Sequence, residues 1–349
     1  MSLYLSCNGL YAGFLGCIYL WGELVVELSS CDYLVIIVNY GTPQDVIDCL
    51  ASLEPEIAEV DGQVVVVDNC SPDDSFESIA QAISMRGWGA WAELILADKN
   101  GGFAYGNNVA IQAALELDSP PRYFHLLNPD TVIETNALIA LKTFMDTHLD
   151  VGIAGSRQKI YEGEWNKAFR FPGVISELDR GLRLGVFSRL VASKLVSRQM
   201  GADCAEAEWV SGASMVVRRD VIDAVGLMDE RYFLYYEETD YCLAARRAGW
   251  STWHVVDSVV FHKVGASTGV KSSNINKRIP KYVYESRGYY FRKNYGFIYA
   301  LVVDLAFLAG VCGQRFLALI TLRDLNVVPF LLRDTLRNGA FFSRARRKR

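Results

Sequence analysis

The chain has 349 residues, of which 51% are hydrophobic, 21% are charged and 12% are aromatic. This composition is too apolar for a disordered chain, and the length allows one large domain or two modest ones. The eight cysteines are scattered and include no C-x-x-C pair. This spacing argues against a disulfide framework or a cysteine zinc site and favours reduced thiols in a cytosolic protein.

The net charge of −5 is unevenly distributed along the chain. Residues 277–349 hold 15 Lys and Arg against four acidic residues, a net of +11, so residues 1–276 carry −16. Nucleic-acid-binding proteins usually have their basic face on the folded core, so this distribution argues against nucleic acid as a partner. It is typical of a soluble body held against an anionic membrane surface.

The first 22 residues contain no charged side chain. A stretch of this length can span a bilayer, but it lacks a basic n-region and includes Asn8 and several glycines, which argues against a signal peptide. Residues 1–30 are therefore interpreted as an apolar N-terminal extension. Three alternatives stay open for it: a membrane anchor, a misassigned start, or a loosely packed segment.

Strands and helices alternate from Tyr33 onward. The sequence predicts helices over residues 44–53, 75–85 and 108–117, between buried strands over 34–38, 64–67, 93–97 and 123–127. This order is typical of a parallel, doubly wound sheet, in which ligands bind beyond the carboxyl ends of the strands. Four polar clusters fall at those ends: Asn39-Tyr40, Asp68-Asn69, Asn100-Gly101-Gly102 and Asn128-Pro129-Asp130.

The second half of the chain has a less regular pattern. Short strands and turns are predicted over 157–171, followed by a connector over 173–203 that contains Gly, Ser and Arg. A strand over 208–218, a helix near 220–225, a helix that ends at Ala248 and a strand over 252–256 complete the predicted elements.

The segment from Asn100 to Asn107 reads NGGFAYGN. A dinucleotide fingerprint needs glycine where Phe103 stands, and a P-loop needs lysine where Asn107 stands, so neither phosphate-binding motif is present. Taken alone, the segment is equally consistent with a tight loop before a helix.

Carboxylates follow two of the predicted strands. Asp68 could cap the next helix or accept hydrogen bonds from a base or ribose. Asp130 could form a turn or hold Mg²⁺ or Mn²⁺ beside a diphosphate, since these ions prefer oxygen ligands. His262 ends an apolar run, where a histidine is either incidental or a partner of Asp130 at a metal.

Three carboxylates, Glu237, Glu238 and Asp240, lie within four residues. Capping of a helix N-terminus explains one or two of them, whereas clustering raises the pKa of one carboxyl toward neutrality, as a general base requires. In a helix, Glu237 and Asp240 share a face while Glu238 points about 100° away. The three are therefore not expected to perform one task.

Seven blocks occur in a fixed order between residues 33 and 292: VIIVNY, VVVVDNCSPD, NGGFAYGNN, LLNPDTV, WVSGASMVVRR, GLMDERYFLYYEETDYCLAARRAGW and FHKVGASTG. In this order they resemble the family 2 inverting glycosyltransferases, and within them the bacterial rhamnosyltransferase-type branch. The resemblance implies an α/β domain over residues 31–292 with the GT-A nucleotide-diphospho-sugar transferase fold, built on a mostly parallel doubly wound sheet. Residues 293–349 then form a C-terminal, membrane-proximal extension of amphipathic helices and a basic tail.

The resemblance also implies a role for individual residues. The acceptor is expected to border Trp209, Ser211, Gly212 and Glu237, and a divalent cation, Mg²⁺ or Mn²⁺, is expected at Asp130 and His262. The catalytic acids are expected to be Glu238 and Asp240. The nucleotide sugar is expected to contact Asn39, Tyr40, Asp68, Asn69, Asn100, Gly101, Gly102, Phe103, Asn107 and Asn128.

Two residues depart from the family pattern. Asn128 replaces the first acid of the DXD motif, which leaves one carboxylate to the metal. Glu238 replaces an aspartate, so the choice of Glu238 or Asp240 as the base stays open. The implied reaction is a single displacement in which a carboxylate takes the proton of an acceptor hydroxyl while the nucleoside diphosphate leaves.

The expected protein is a glycosyltransferase that moves a hexosyl group, L-rhamnose from dTDP-rhamnose, to a hydroxyl of a lipid-linked or growing cell-surface glycan. It is expected to act as a peripheral protein at the cytoplasmic face of the inner or plasma membrane, with a homo-oligomer left open. The alternative is a catalytically degenerate nucleotide-sugar-binding protein that serves as a scaffold in a glycan-assembly complex.

An apolar stretch over residues 297–320 is long enough to span a bilayer. It contains Asp304 and Arg315, which lie about 20° apart around a helix. This narrow polar stripe favours a helix that lies at the membrane interface or packs on the body over one that crosses the bilayer. Five cations among residues 344–349 would add attraction to anionic lipid.

Overall fold

A computed structural model of the chain describes residues 19–20, 23–24, 29–160, 168–263, 278–322 and 328–339. Within these ranges the strands are β1 (Tyr19–Leu20), β2 (Glu23–Leu24), β3 (Tyr33–Asn39), β4 (Gly62–Asp68), β5 (Ala92–Leu96), β6 (Tyr123–Leu127), β7 (Thr131–Ile133), β8 (Val151–Lys159), β9 (Ala168–Phe169), β10 (Ser197–Arg198), β11 (Ala205–Ala207), β12 (Ser214–Arg218) and β13 (Ser251–His262).

The helices of the same ranges are α1 (Pro43–Leu53), α2 (Ser75–Arg86), α3 (Phe103–Leu115), α4 (Ala137–Thr147), α5 (Val174–Leu182), α6 (Gly185–Leu190), α7 (Arg219–Val225), α8 (Glu237–Arg247), α9 (Lys281–Tyr295), α10 (Phe297–Thr321) and α11 (Leu331–Asn338). Short 3₁₀ helices lie at Ala58–Val60, Trp88–Ala90 and Ala192–Lys194.

One central sheet has nine strands within the described residues, in the order β11-β13-β8-β12-β6-β3-β4-β5, with β7 paired to β13. Strands β3 to β6 pair in parallel, as their alternation with helices predicts. The other half is mixed, because β12 runs antiparallel between β6 and β8, and β7 and β11 run antiparallel to β13. The observed sheet is therefore mixed, whereas the sequence analysis expected a mostly parallel one. An antiparallel β12 brings the residues before it to the edge where the parallel strands end.

The central strands are apolar at successive positions because both faces of the sheet are covered. Tyr33, Val35 and Ile37 pack in a core with α1, α2 and α4, whereas Leu34 and Ile36 pack with α3, α7 and α8 on the other side. Burial on both faces is the expected environment for continuous β-branched strands. The covered sheet therefore holds the polar ends of its strands in fixed positions.

Several predicted elements differ from the observed ones. The expected connector over 173–203 contains two helices, α5 and α6. The expected strand over 208–218 is a strand only over β12, and residues 208–213 before it lie outside the named strands. Helix α3 begins at Phe103 rather than Asn108, and β13 continues to His262 because it pairs along its length with β8 and then with β7.

Helix α10 packs against α5 and α9. A Cβ on Gly181 would overlap the Phe307 carbonyl, and one on Gly310 would overlap the Leu178 carbonyl, so α5 and α10 cross at close range only because both positions are glycine. Asp304 points into the body and pairs with Arg287, so this member of the predicted polar stripe serves packing.

Among the described residues, α10 alone is long and apolar enough to cross a membrane by length and composition, and 33% of its most apolar window is buried in the protein. Most of the predicted N-terminal extension and the basic residues 344–349 lie outside the described residues.

Candidate active site

The ends of β3 and β4 are held together by polar side chains. Asn39 lies opposite Asp68 in the sheet, and its Nδ2 donates to Asp68 Oδ2 at 2.7 Å. The backbone N–H and the hydroxyl of Ser71 each donate to Asp68 at 2.8 Å. Asp68 thus shapes the turn after β4 and does not cap α2, which begins at Ser75. Tyr40 lies beside this turn and is 40% exposed.

The Asn100–Gly102 loop is joined to the turn before α8. Gly102 has φ +88°, and a Cβ there would overlap the Phe233 carbonyl, so glycine is required on two grounds. Phe103 N donates to that carbonyl at 3.1 Å. On the other side, Asn69 Nδ2 donates to Asn100 Oδ1 at 3.2 Å and to Gly102 O at 3.1 Å. The loop therefore connects β4 with the segment that leads into α8.

The remaining residues expected to contact the nucleotide sugar occupy different environments. Gly101 packs against the Tyr105 ring, where a side chain would collide. Asn107 lies inside α3, not in a loop, and its Nδ2 donates to Phe103 O at 2.8 Å. Asn128 follows β6, and its backbone N–H donates to Ala213 O at 3.0 Å. This last bond brings the β6 end against the residues before β12.

Asp130 and His262 lie together, as the sequence predicts for a shared site. The register of β7 and β13 pairs His262 with Thr131, and His262 Nε2 lies 3.2 Å from Asp130 Oδ1. Asp130 is 3% exposed, and its Oδ1 accepts no hydrogen bond from the part of the chain that is described. A buried, unbonded carboxylate oxygen beside an imidazole nitrogen fits a divalent cation such as Mn²⁺.

Lys263, the residue after His262, connects the Asp130–His262 pair to helix α1. Lys263 N donates to Asp130 O at 2.9 Å, while Lys263 Nζ lies 2.9 Å from Asp45 and 3.0 Å from Asp48 on α1. The described ranges contain no group of three or more His, Cys, Asp or Glu side chains that could hold a metal. The protein there offers two ligands.

The N-terminus of α8 carries the carboxyls of Glu237, which is 4% exposed, and of Glu238, which is partly exposed. Tyr235 and Tyr236 precede it with φ of +69° and +72°, a conformation that non-glycine residues rarely adopt and that clusters at functional sites. One carboxyl oxygen each of Glu237 and Glu238 is buried without a hydrogen-bond partner among the described residues. Burial raises the pKa of Glu238 to about 7, and burial together with Glu238 raises the pKa of Glu237 well above its ordinary range.

Asp240 has a different environment from Glu238. Tyr232 Oη donates to its Oδ1 at 3.1 Å, Asn294 Nδ2 donates to the same oxygen at 2.6 Å, and Lys293 pairs with its Oδ2. Both oxygens are therefore engaged by donors, two of them from α9. Sequence reasoning did not identify Tyr232, Lys293 or Asn294, and a single sequence holds no signal that pairs α8 with α9.

Gly212 brings three elements together. A Cβ at this position would lie 3.1 Å from the Phe103 ring and 3.9 Å from Glu238 Cβ. The residue is therefore the close-approach point between α3, α8 and the segment before β12. Ser211 lies beside it, with its Oγ accepting from Ala213 N at 3.3 Å.

Trp209 is held a short distance away. Its ring stacks on Phe169 with centroids 4.2 Å apart, and its Nε1 donates to Arg170 O at 2.9 Å. The indole N–H is thus used within the protein, which leaves the part-exposed ring as the surface available for contact.

Contacts thus join the ends of β3, β4 and β6, the Asn100–Gly102 loop, Gly212 and the N-terminus of α8. This arrangement combines a carboxyl poised to exchange a proton near neutral pH, a candidate cation position and backbone loops that approach each other closely. Such a combination suits a reaction in which a hydroxyl is deprotonated while an anionic leaving group departs.

Comparison with known proteins indicates the family of this chain. Residues 34–205 match the family described as Glycosyl transferase family 2. The chain is 25% identical over 218 residues to the low-salt glycan biosynthesis hexosyltransferase Agl10 of Haloferax volcanii, covering 62% of each chain. It is 41% identical over 61 residues to an N-acetylglucosaminyl-diphospho-decaprenol L-rhamnosyltransferase of Mycobacterium tuberculosis, covering 18% of this chain and 20% of the relative. The matches thus span less than two thirds of either relative.

The fold is also found in a solved structure. A mannosyltransferase from Pyrobaculum calidifontis, solved with GDP-Man and Mn²⁺, superposes with a TM-score of 0.53 at 14% identity, covering 85% of this chain and 77% of that one. An identity this low shows the fold alone. Taken with the family match, it identifies the chain as a carrier of a glycosyltransferase family 2 domain with the GT-A fold.

Proposed function

We propose that the protein is an inverting hexosyltransferase that uses a nucleotide sugar, with Glu238 as its base. The observation that carries this proposal is the carboxyl of the partly exposed Glu238 near Gly212: one of its oxygens is buried and has no hydrogen-bond partner among the described residues. A pKa of about 7 leaves a large fraction of Glu238 ionised at neutral pH and makes it a competent proton acceptor. Asp240 is less suited, because three donors already engage its carboxylate.

In this mechanism each residue of the α8 N-terminus has a distinct task. Glu238 accepts the proton of the acceptor hydroxyl as that oxygen attacks the anomeric carbon. Burial and the neighbouring Glu238 raise the pKa of Glu237 well above its ordinary range, which favours its protonated form, so it can border the acceptor without competing as a base. Asp240 positions α8 by holding Tyr232 and two residues of α9.

The donor diphosphate is proposed to lie between the loops that follow β3, β4 and β6. Asn39, Asp68 and Asn69 hold the backbone there, and the ring of Tyr40, which is 40% exposed, is available to stack on the nucleobase of the donor. Asp130 and His262 would hold a divalent cation, which when bound neutralises charge on the leaving diphosphate. Mn²⁺ in the Pyrobaculum mannosyltransferase supports this assignment.

The donor and acceptor are proposed from the relatives. A relative named as an L-rhamnosyltransferase of N-acetylglucosaminyl-diphospho-decaprenol favours dTDP-rhamnose and a lipid-linked acceptor. Such an acceptor would place the protein at the cytoplasmic face of a membrane. The buried Glu238 oxygen without a partner among the described residues argues against a catalytically inert scaffold, because such an oxygen destabilises the fold and perturbed carboxyls of this kind cluster at functional sites.

The test is a panel of nucleotide sugars, each assayed for thermal stabilisation and for turnover with and without Mn²⁺. A donor that binds the folded state raises the melting temperature by mass action, and we expect dTDP-rhamnose with Mn²⁺ to give the largest shift. Asp130→Ala should remove the part of this stabilisation that depends on Mn²⁺, whereas Asp118→Ala, at an exposed site, should keep it. Stabilisation without any hydrolysis or transfer would indicate the scaffold instead.

A further inference from the structure

The outer side of α10 is an uninterrupted apolar surface. Five exposed large side chains, together with the smaller exposed residues Ala309 and Cys312, recur at intervals of three or four residues, which places them on one side of the helix. The five large side chains are Ile298, Val302, Leu305, Phe316 and Leu319, with exposed fractions of 77%, 42%, 51%, 63% and 76%. A helix of 25 residues is about 37 Å long, so this surface exceeds the scattered apolar residues of an ordinary protein exterior.

The inner side of α10 is fixed to the body and cannot turn outward. Val303, Phe307 and Val311 are buried, and the close crossing at Gly181 and Gly310 joins the helix to α5. Asp304 on the same side pairs with Arg287, which is 2% exposed. Because half of the helix circumference is protein core, α10 in this fold presents one apolar side to its surroundings.

The segment from Arg183 to Arg198 adjoins α10 and is strongly basic. A Cβ on Gly313 would lie 3.1 Å from Leu182, so the segment begins in contact with α10. It contains no acidic residue, and all four of its cations are exposed: Arg183, Arg189, Lys194 and Arg198. Between them lie the exposed apolar side chains of Leu184, Val186 and Leu190, with fractions of 40%, 65% and 80%.

We propose that the outer side of α10 and residues 183–198 form one docking surface for an anionic membrane, here called the membrane face. Apolar side chains enter the acyl boundary while the neighbouring cations meet lipid headgroups, with α10 lying in the plane of the interface. The membrane face rests on exposure and charge alone, so it stands whether or not the proposed sugar transfer is correct.

A second copy of the chain is a poorer occupant. In a two-fold interface the same patch meets itself, so the cations of residues 183–198 in one copy would meet those of the other with no acid in either segment. The outer side of α10 is flanked by one cation, Arg315, and by no exposed acid of the helix, so it lacks the paired charges that usually select a partner helix. An anionic lipid surface satisfies both features.

The experiment is co-sedimentation of the full chain with vesicles of phosphatidylglycerol and phosphatidylcholine, against vesicles of phosphatidylcholine alone. We expect strong binding to the anionic vesicles, weakened by salt, and weak binding to the neutral ones. Ile298→Glu and Leu319→Glu should each weaken binding about tenfold or more, since each removes a large apolar side chain that the membrane would cover in the bound state. Met85→Glu is the matched control, because Met85 on α2 is 78% exposed and lies outside the membrane face.

A second arm separates charge from apolar contact. The double variant Arg189→Glu with Lys194→Glu should lose binding to anionic vesicles and leave the weak binding to phosphatidylcholine unchanged. Melting temperatures and nucleotide-sugar stabilisation, measured on every variant, report folding and donor binding separately from lipid. Equal binding of Ile298→Glu, Met85→Glu and the unmodified chain would overturn the proposal, as would a dimer in solution that Ile298→Glu dissociates without changing vesicle binding.

Discussion

Two groups of carboxyl side chains with buried oxygens differ in whether those oxygens have partners. At the N-terminus of α8, one oxygen each of Glu237 and Glu238 is buried without a partner among the described residues. Between α5, α9 and α10, Glu177 and Asp304 are each 2% exposed, but both pair with Arg287, whose Nε lies 2.7 Å from Glu177.

The pKa values of the two groups move in opposite directions. Burial raises the pKa of Glu238 to about 7. Burial would also raise the pKa of Glu177, but Arg180 and Arg287 hold it below its ordinary value. Desolvation is common to both, so the partner decides the outcome. The paired group joins three helices, and the unpaired group retains a proton that can be exchanged near neutral pH.

The largest expected effect is on turnover through Glu238. Glu238→Gln keeps the shape and removes the proton acceptor, so kcat for transfer should fall about 10²- to 10⁴-fold. Glu238→Asp, which has a shorter side chain, should keep more activity than the glutamine variant. Steady-state kinetics with the donor that stabilises the protein measures this, and Glu285→Gln, in an exposed pair with Lys281, serves as control. Near-normal turnover by Glu238→Gln would move the base elsewhere.

The next effect is on stability through Arg287. Arg287→Met leaves Glu177 and Asp304 buried without their shared cation, which should lower the free energy of unfolding by about 3–5 kcal/mol. Arg231→Met, which removes an exposed partner of Asp229, should cost about 1 kcal/mol or less. Urea unfolding of both variants tests the contrast. Similar losses in the two would mean that burial of the Arg287 group has no special energetic consequence.

A smaller effect is the dependence of both groups on pH. Transfer requires ionised Glu238, so kcat should fall about tenfold for each pH unit below about 7. Stability should run the other way for this group: a raised folded pKa favours the protonated state, so its contribution is present below 4.5, the ordinary value, and is lost as pH rises to about 7. For Glu177 the contribution is present above its ordinary pKa and is lost as pH falls.

Melting curves from acid to neutral pH check this sign. Glu238→Gln should be more stable than the unmodified chain above pH 7 and equal to it well below 4.5. A variant that is less stable above pH 7 would contradict the assignment of an unpaired, destabilising carboxyl.

The smallest effect concerns a partly exposed ion pair between these extremes. Lys263 pairs with Asp45 and Asp48 next to the Asp130–His262 position, and its side chain is 28% exposed. Lys263→Met should weaken Mn²⁺ binding about two- to fivefold, the size of a surface ion pair. Thermal titration with Mn²⁺ alone measures this change. Lys281→Met, which removes the exposed ion pair between Lys281 and Glu285, is the matched control. No difference between the two variants would show that Lys263 does not position His262.

Much of the candidate active site followed from local sequence. Continuous β-branched runs predicted strands buried on both faces, and polar residues after those runs predicted where a ligand would bind, because carboxyl ends of parallel strands meet at one edge. Local sequence left open whether His262 is a partner of Asp130, the family resemblance implied that it is, and the two side chains lie 3.2 Å apart. Their roles toward a metal and a donor stay predictions.

Other features had no local signal. The 173–203 segment was expected to be a connector, since its Gly, Ser and Arg content indicates loops, yet α5 buries Glu177 against Arg287 110 residues away. Nothing in the sequence near Asp240 indicates that Tyr232, Lys293 and Asn294 would engage it. These contacts depend on how α9 and α10 return to the body.

The sequence alone therefore determined the alternation of strands and helices, the carboxylates available for chemistry and the basic, apolar character of the C-terminal region. Only the tertiary structure decided which carboxyls are paired, because pairing depends on residues far apart in the chain and sets the direction of each pKa. It also decided which half of α10 is exposed. Periodicity identifies a helix that is apolar except for a narrow polar stripe. Only its packing against α5 and α9 distinguishes the half in the core from the half that faces outward.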